Sequence, residues 1–420
     1  MRWGAAVTRL NEAIGQASGL FLEALRITRV SATLIACALA LVACGGSESG
    51  PSSGPVGPTP QATSCPHGPE RDGPYSRVMV AGESSAQGII DPSVEYPASA
   101  AEGFMTYTAV PSPARVHIAI ATSDDNGATW RHAGDVTEAR PATITTTDTS
   151  VCGAPSCQGT IAHESSSLVL DPSDPDPARR FKVFVHTYFF GTAQQFLIGY
   201  VAMYTAGAVE GPWAETKLFG WPSSSPLSTA DVAYDVTTDS ALSGLHGCLL
   251  VGEPGALVRS PGTIDLALSC VTSGGTDIRL LRSGDHGRRW SFVGTLLTIQ
   301  DAAALGATSS EITGADLFRA NGAFHLIATP VGPVDFPDGR DNGYRGCIVV
   351  SVADLETGQV DRCENAPVVE ASYLGQPGQF VGACSTDAGA TASGMLIPVP
   401  DLTFTSASPY QLFASGPPVP

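Results

Sequence analysis

The chain is poor in basic side chains. It has two lysines, Lys182 and Lys217, and a formal net charge of −18. A surface so short of cations cannot neutralise phosphates, which excludes nucleic acid as a partner and disfavours other polyanions. No C-x-x-C pair occurs, so the common zinc frameworks are not expected. A P-loop and a dinucleotide fingerprint are also missing, and no G-x-S-x-G string stands between a strand and a helix. From about Tyr75 to Gly416 there is little of the apolar periodicity that marks amphipathic helices. Short strand-like runs separated by Gly, Pro, Asp and Ser fill this stretch instead, the pattern of an all-β barrel, sandwich or propeller.

The amino-terminal part is expected to be targeting sequence. In ITRVSATLIACALALVAC (27–44), Arg26 and Arg29 stand ahead of an apolar core too short to cross a bilayer comfortably. The string ends in Leu41, Val42, Ala43 and Cys44, which resembles a bacterial lipobox. That resemblance implies lipidation of Cys44, a signal peptide over 1–44, and a protein anchored in the bacterial cell envelope at an outer-membrane, periplasmic or surface-facing site. Residues 45–64 are a Gly/Ser/Pro tract that cannot bury enough surface to offset its ordering entropy, so they are expected to form a disordered tether before a domain over 65–420. With Cys37 and Cys44 set aside, eight cysteines remain, an even number suited to an oxidising compartment. The expected disulfides are Cys152–Cys157, Cys248–Cys270, Cys347–Cys363 and Cys65–Cys384, the last joining the two ends of the domain.

What is present in duplicate is an octapeptide. SDDNGATW at 123–130 and SGDHGRRW at 283–290 share Ser123, Asp125, Gly127 and Trp130 with Ser283, Asp285, Gly287 and Trp290. A short Ser or Asp side chain can close a turn on its own backbone, Gly supplies positive φ, and Trp packs beneath, so both copies are expected in hairpin turns. The pattern resembles the Asp box of sialidases and related β-propeller glycosidases, S-x-D-x-G-x-T-W; the first copy matches throughout, while the second has Arg289 for Thr. A third string, STDAGATA at 385–392, keeps Ser385, Asp387 and Gly389 but has Ala392 for Trp. The box implies a fold, not a chemistry. Four-strand groups then suggest five blades, the fourth ending near Val360 to Cys363 and the fifth completed by YSRVMVAGE (75–83). The fold expected is therefore a five-bladed β-propeller closed by an N-terminal strand, with a six-bladed sialidase-type propeller as the alternative.

The innermost strands carry Asp91, Glu164, Glu253 and Glu311, with Gln376 near the fifth blade. Two carboxyls, one protonating the leaving oxygen and one activating water or attacking the sugar, suffice for glycoside hydrolysis. The sequence resembles the five-bladed arabinanase-like and xylosidase-like glycosidases, which implies Asp91 as base, Glu164 as the group that tunes and orients, and Glu253 as acid. Glu164 stands where that family has Asp, and Asp171 is a less well placed substitute. Glu311, Gln376 and His163 are candidate binding residues. A true sialidase would need an arginine triad, and no Arg follows Arg362. No metal and no cofactor are expected; the one alternative is a calcium ion in the channel, approached by His163 or His325 as in some related glycosidases. The acidic loops DPSDPDP (171–177) and DFPDGRDNG (335–343) lack EF-hand spacing and read as solvated turns. The expected partners are a glycan or glycoconjugate and a membrane through the lipid anchor, with the chain acting as a monomer.

Overall fold

The computed structural model describes Cys65 and, from His67 to Ser415, every residue except 72–74, 98–100, 113, 146–155, 192–193, 222–230, 306, 308–310, 333–342, 345, 375–381, 387–394 and 399–409. The leader, Cys44, Cys152, Gln376, the DFPDGRDNG loop up to Asn342 and most of STDAGATA lie outside the described residues.

Five antiparallel sheets follow one another along the chain as the blades of a β-propeller. Blade 1 comprises Ile89–Glu95, Gly103–Ala109, His117–Ser123 and Trp130–Asp135. Blade 2 comprises Ser156–Leu170, Phe181–Phe190, Gln194–Ala206 and Ala214–Gly220, and blade 3 comprises Leu250–Ser260, Thr263–Thr272, Gly275–Ser283 and Ser291–Leu297. Blade 4 runs Ile312–Ala320, Ala323–Gly332, Gly346–Asp354 and Val369–Leu374. Its outer strand is thus Val369–Leu374, not the stretch near Val360 to Cys363. Gln359–Val360 adds to the edge of Gly346–Asp354, and Arg362–Cys363 turns back on Ala366–Pro367 as a hairpin.

Blade 5 has three strands from the carboxyl-terminal part, Ser385–Thr386, Met395–Pro398 and Leu412–Ser415, and Tyr75–Val78 supplies the fourth. Arg77 faces Phe413 and Val78 faces Leu412 in that pairing. The same amino-terminal run first lies parallel to blade 4, Glu70 opposite Ser372, and then parallel to blade 1, Val80 opposite Trp130. One segment therefore covers the edges that three blades would otherwise expose.

The apolar core is divided among the blade interfaces. Phe184, Met203 and Trp290 lie with Leu266 and Leu281 between blades 2 and 3, and Met105, Tyr107 and Trp130 lie with Leu396 and Leu412 between blades 1 and 5. The two octapeptides anchor these interfaces by the same turn. Ser123 Oγ accepts the Gly127 N–H at 2.8 Å while Asp125 Oδ1 accepts that of Thr129 at 2.8 Å. Ser283 and Asp285 do the same for Gly287 and Arg289, at 2.8 and 2.7 Å. The departure at Arg289 is neutral in effect, because its Nε reaches Asp285 Oδ2 at 2.7 Å just as the Thr129 hydroxyl reaches Asp125 Oδ2 at 2.7 Å.

Two disulfides differ from expectation. Cys248–Cys270 forms within blade 3 as expected, but Cys347 pairs with Cys384 and so ties blade 4 to blade 5. Cys65 and Cys363 are both disulfide-bonded, and neither has the partner assigned from the sequence. Cys157 is also disulfide-bonded.

Candidate active site on the propeller axis

Each innermost strand carries a break at the same place. Asp91, Ser165, Glu253, Gly314 and Ala383 have φ of 50°, 52°, 47°, 60° and 52°. In blades 1 to 4 the strand register slips there, between Ile90 and Ser93, between His186 and Val185 opposite Ser165, between Gly252 and Gly255, and between Thr313 and Asp316. A left-handed residue costs an L-amino acid about 1–2 kcal/mol, and such strain gathers where a side chain must be re-aimed. Here the five positions line one axial cavity, together with neighbours such as Ser93 and Asp316.

The bulges free backbone N–H groups from the ladder, and the preceding blade accepts them. Ser165 N–H bonds Thr108 Oγ1 at 3.1 Å, Gly314 N–H bonds Glu253 Oε2 at 2.9 Å and Ala383 N–H bonds Thr329 Oγ1 at 3.1 Å. Two residues deeper, the lacing repeats. Leu168 N–H bonds Ser93 Oγ at 2.9 Å and Ala256 N–H bonds Ser167 Oγ at 2.8 Å, while the Ser385 hydroxyl donates to Asp316 Oδ2 at 2.7 Å. The polar contacts of the axis thus fix each blade on the next, and they hold the acids in place.

Asp91 is 8 % exposed and accepts from the hydroxyls of Thr108 (3.0 Å) and Ser165 (3.5 Å), both on Oδ2. Burial, reinforced by the charges of Glu164 and Glu253 and opposed by the Thr108 bond, pushes its carboxyl up to about 8. Glu164 is pushed up to about 7 by burial and the Glu253 charge, against the bond that Tyr188 donates to its Oε2 at 2.7 Å. Glu253 is held differently. Its Oε1 accepts from the Tyr344 phenol at 2.7 Å, and its Oε2 accepts from the Ser269 hydroxyl and the Gly314 N–H, both at 2.9 Å. Burial and Glu253 keep the Tyr344 phenol protonated far into alkali, so it remains a donor. Glu311, raised by burial and by Glu253, stands at the edge of the same field.

The structure therefore brings Asp91, Glu164 and Glu253 into mutual electrostatic contact, and Glu311 into contact with Glu253. His163 lies elsewhere: it is buried, its Nδ1 is 3.0 Å from Thr187 Oγ1, its ring stands edge-on to Tyr204, and burial lowers it to about 3. His325 stacks on Phe318 and bonds Glu370, away from the axial cavity. The 171–177 loop is not a solvated turn throughout. Asp171 and Asp174 have no exposed side-chain surface, and the equally buried Lys182 ammonium sits 3.1 and 3.0 Å from them. Asp171, Asp174 and His286 are, among the described residues, the one group of three whose potential metal-ligand atoms lie within 4.8 Å of one another, and Lys182 supplies the positive charge there.

Several residues of the axis were not foreseen. Tyr188 and Tyr344 donate to the acids, and Thr108 and Ser269 do so from second strands. A further acid pair also lies on inner strands: burial pushes Asp316 up to about 7, and burial with the Asp316 charge pushes Glu95 up to about 8. The detectable signal was the register: Thr108, Ser269 and Thr329 face the residues just before the bulges, Ile90, Gly252 and Thr313.

No family model and no curated protein matches the chain. Solved structures do. A thermostable family-43 glycoside hydrolase aligns at 12 % identity over 81 % of this chain and 91 % of its own, with a TM-score of 0.43. The catalytic domain of the Coprinopsis cinerea GH62 α-L-arabinofuranosidase aligns at 12 % over 81 % of this chain and 96 % of its own, TM-score 0.43. Cellvibrio cellulosa α-L-arabinanase, complexed with arabinohexaose, aligns at 12 % over 78 % of this chain and 91 % of its own, TM-score 0.44. These are likenesses of fold alone.

Proposed function

We infer that the protein binds a glycan where the bulges of blades 1 to 3 converge and hydrolyses it with Asp91, Glu164 and Glu253. One contrast supports this reading. Asp91 and Glu164 hold protons up to about 8 and 7, while Glu253, on the innermost strand of blade 3, accepts three hydrogen bonds. Carboxyls in unlike environments are the requirement for pairing a proton donor with a base or nucleophile. The hydrogen bonding favours Asp91 as the proton donor and Glu253 as the base or nucleophile, the reverse of the roles implied by the resemblance to arabinanase-like enzymes. Glu164 tunes Asp91 through its charge. Among the described residues no Arg or Lys lines the axial cavity, which favours a neutral glycan over a sialoside or other sugar acid.

A panel of aryl glycosides and plant arabinans tests the proposal. Asp91→Asn should slow poor leaving groups far more than dinitrophenyl ones, because an activated leaving group needs no proton. Glu253→Gln should slow all of them. Wild-type rates in Glu253→Gln would remove that residue from the mechanism. Saturable binding with no turnover by the wild type would replace hydrolysis by non-catalytic recognition of a polysaccharide or protein.

Export and anchoring belong to the same proposal. The disulfides Cys248–Cys270 and Cys347–Cys384 suit an oxidising compartment, and the Leu41–Cys44 string supports lipidation. Radiolabelled palmitate should be incorporated by the wild type and not by Cys44→Ala.

A further inference from the structure

The bulge of blade 5 brings no acid to the axis. Gly382, Ala383 and Cys384 run into its innermost strand, Ser385–Thr386, and Ala383 and Cys384 line the axial cavity. What this segment touches is a pair of donors that hold Glu253, one on each carboxylate oxygen.

Glu253 Oε1 accepts from the Tyr344 phenol, and Tyr344 lies in a short strand, Gly343–Tyr344, paired with Val331 and Gly332 at the end of the second strand of blade 4. Asp91 and Glu164 as well as Glu253 act on this phenol through their charges, so it belongs among the three acids. Gly382 is buried directly against the side chain. A Cβ on it would fall 2.3 Å from Tyr344 Cδ2 and 2.6 Å from Cβ and Cγ. Its φ is outside the left-handed region, so glycine is required there for space and not for backbone conformation. The other oxygen, Oε2, accepts from the Gly314 N–H, and a Cβ on Gly314 would meet Ala383 Cα at 3.3 Å. Ala383 is itself fixed by its N–H bond to Thr329 Oγ1 at 3.1 Å. The Cys347–Cys384 bridge clamps both sides of the contact, three residues after Tyr344 and two after Gly382.

We propose that Gly382 and the Cys347–Cys384 bridge are positioning elements of the site, seating the Tyr344 ring so that its phenol donates to Glu253. Blade 5 thereby serves the axial chemistry without supplying a reacting group. A misplacement of about 1 Å at such a contact is enough to cost about a hundredfold in rate. The kinetic consequence rests on the hydrolase reading; the seating of the ring does not.

Gly382→Ala tests this with two readouts. In protein carrying tyrosine labelled at Cζ for carbon-detected NMR, the Tyr344 signal is assigned by its loss in Tyr344→Phe. It should shift in Gly382→Ala and in the double variant Cys347→Ser, Cys384→Ser, as it does in Glu253→Gln. Gly284→Ala, where a Cβ meets nothing within 4 Å, should leave it in place. On a substrate that the wild type hydrolyses, Gly382→Ala should lower kcat by about tenfold to a hundredfold with KM little changed. The same substitution made in Tyr344→Phe should cost nothing further, because the phenol through which it acts is gone; a general disturbance of the fold would instead multiply the two losses. An unmoved Tyr344 signal in Gly382→Ala would overturn the proposal, as would multiplied losses. A wild type without turnover would remove the hydrolase reading and leave the seating to be decided by the carbon signal alone.

Discussion

Replacing Lys182 by Met removes the one cation buried between Asp171 and Asp174. All three side chains have no exposed surface, and the ammonium also donates to the Arg179 carbonyl at 2.6 Å. Breaking a buried pair by removing one partner costs about 3–5 kcal/mol, because the remaining charge has no compensation. The lower end applies here, since Arg288 stays 2.8 Å from Asp174 and His286 stays 2.8 Å from Asp171. Urea unfolding with the disulfides intact should therefore show a loss of about 3 kcal/mol at pH 7. The pH dependence has a definite sign. Despite burial, hydrogen bonds and the Lys182 charge hold both aspartates below the ordinary aspartate value of 3.8, so their stabilising contribution is present above that value and is lost as pH falls through their folded values. Without Lys182 they protonate at higher pH, and protonation relieves the unpaired charge. The deficit should therefore shrink by pH 4, and it should shrink at pH 7 in the triple variant Lys182→Met, Asp171→Asn, Asp174→Asn. A deficit that is equal at pH 7 and pH 4, or below about 0.5 kcal/mol at pH 7, would refute the claim that the 171–177 loop is held by buried charge.

Asp91→Asn should stabilise the fold while removing activity. A carboxyl raised to about 8 from 3.8 opposes folding progressively as pH rises between those values, so the variant should match the wild type near pH 4 and exceed it by a few kcal/mol, about 2–4, at pH 7 in the same urea assay. Tyr344→Phe deletes the phenolic bond to Glu253 and should lower kcat by about tenfold to a hundredfold with little change in unfolding midpoint. Removing the Cys347–Cys384 bridge with a double serine variant should cost about 4 kcal/mol, from its separation of 37 residues. Trp130→Ala should cost about 3–5 kcal/mol by emptying the blade 1–5 interface, where the indole is 3 % exposed.

The blades were legible because their strands announce themselves. GFMTYTA, FKVFVHTYFF and TIDLALSCVT are rich in β-branched and aromatic residues and end at Gly, Asp or Pro. The closing role of YSRV followed from a missing fourth strand. The outer strand of blade 4 was misplaced because Gln359–Cys363 has local strand character that is spent on an edge bridge and a hairpin before Val369–Leu374 completes the sheet. Disulfide partners depend on which face of a strand each cysteine occupies and on how blades stack, and spacing carries neither. At the axis, the acids were visible but the device that aims them was not. The bulge recurs as Asp91-Pro92-Ser93, Ser165-Ser166-Ser167, Glu253-Pro254-Gly255, Gly314-Ala315-Asp316 and Ala383-Cys384-Ser385, a repeat of backbone conformation with no residue common to all five. Glu164 precedes its bulge instead of occupying it, which is why the Asp expected in its place is absent without the carboxyl being lost from the site.

The most direct test of the axial account is carbon-detected NMR titration of labelled aspartate carboxyls in the free protein, with the Asp91 signal assigned by its loss in Asp91→Asn. Asp91 should titrate with a midpoint near 8 that falls in Glu164→Gln, as the neighbouring charge is removed. An Asp91 midpoint in the ordinary aspartate range near 4, unchanged by Glu164→Gln, would contradict it.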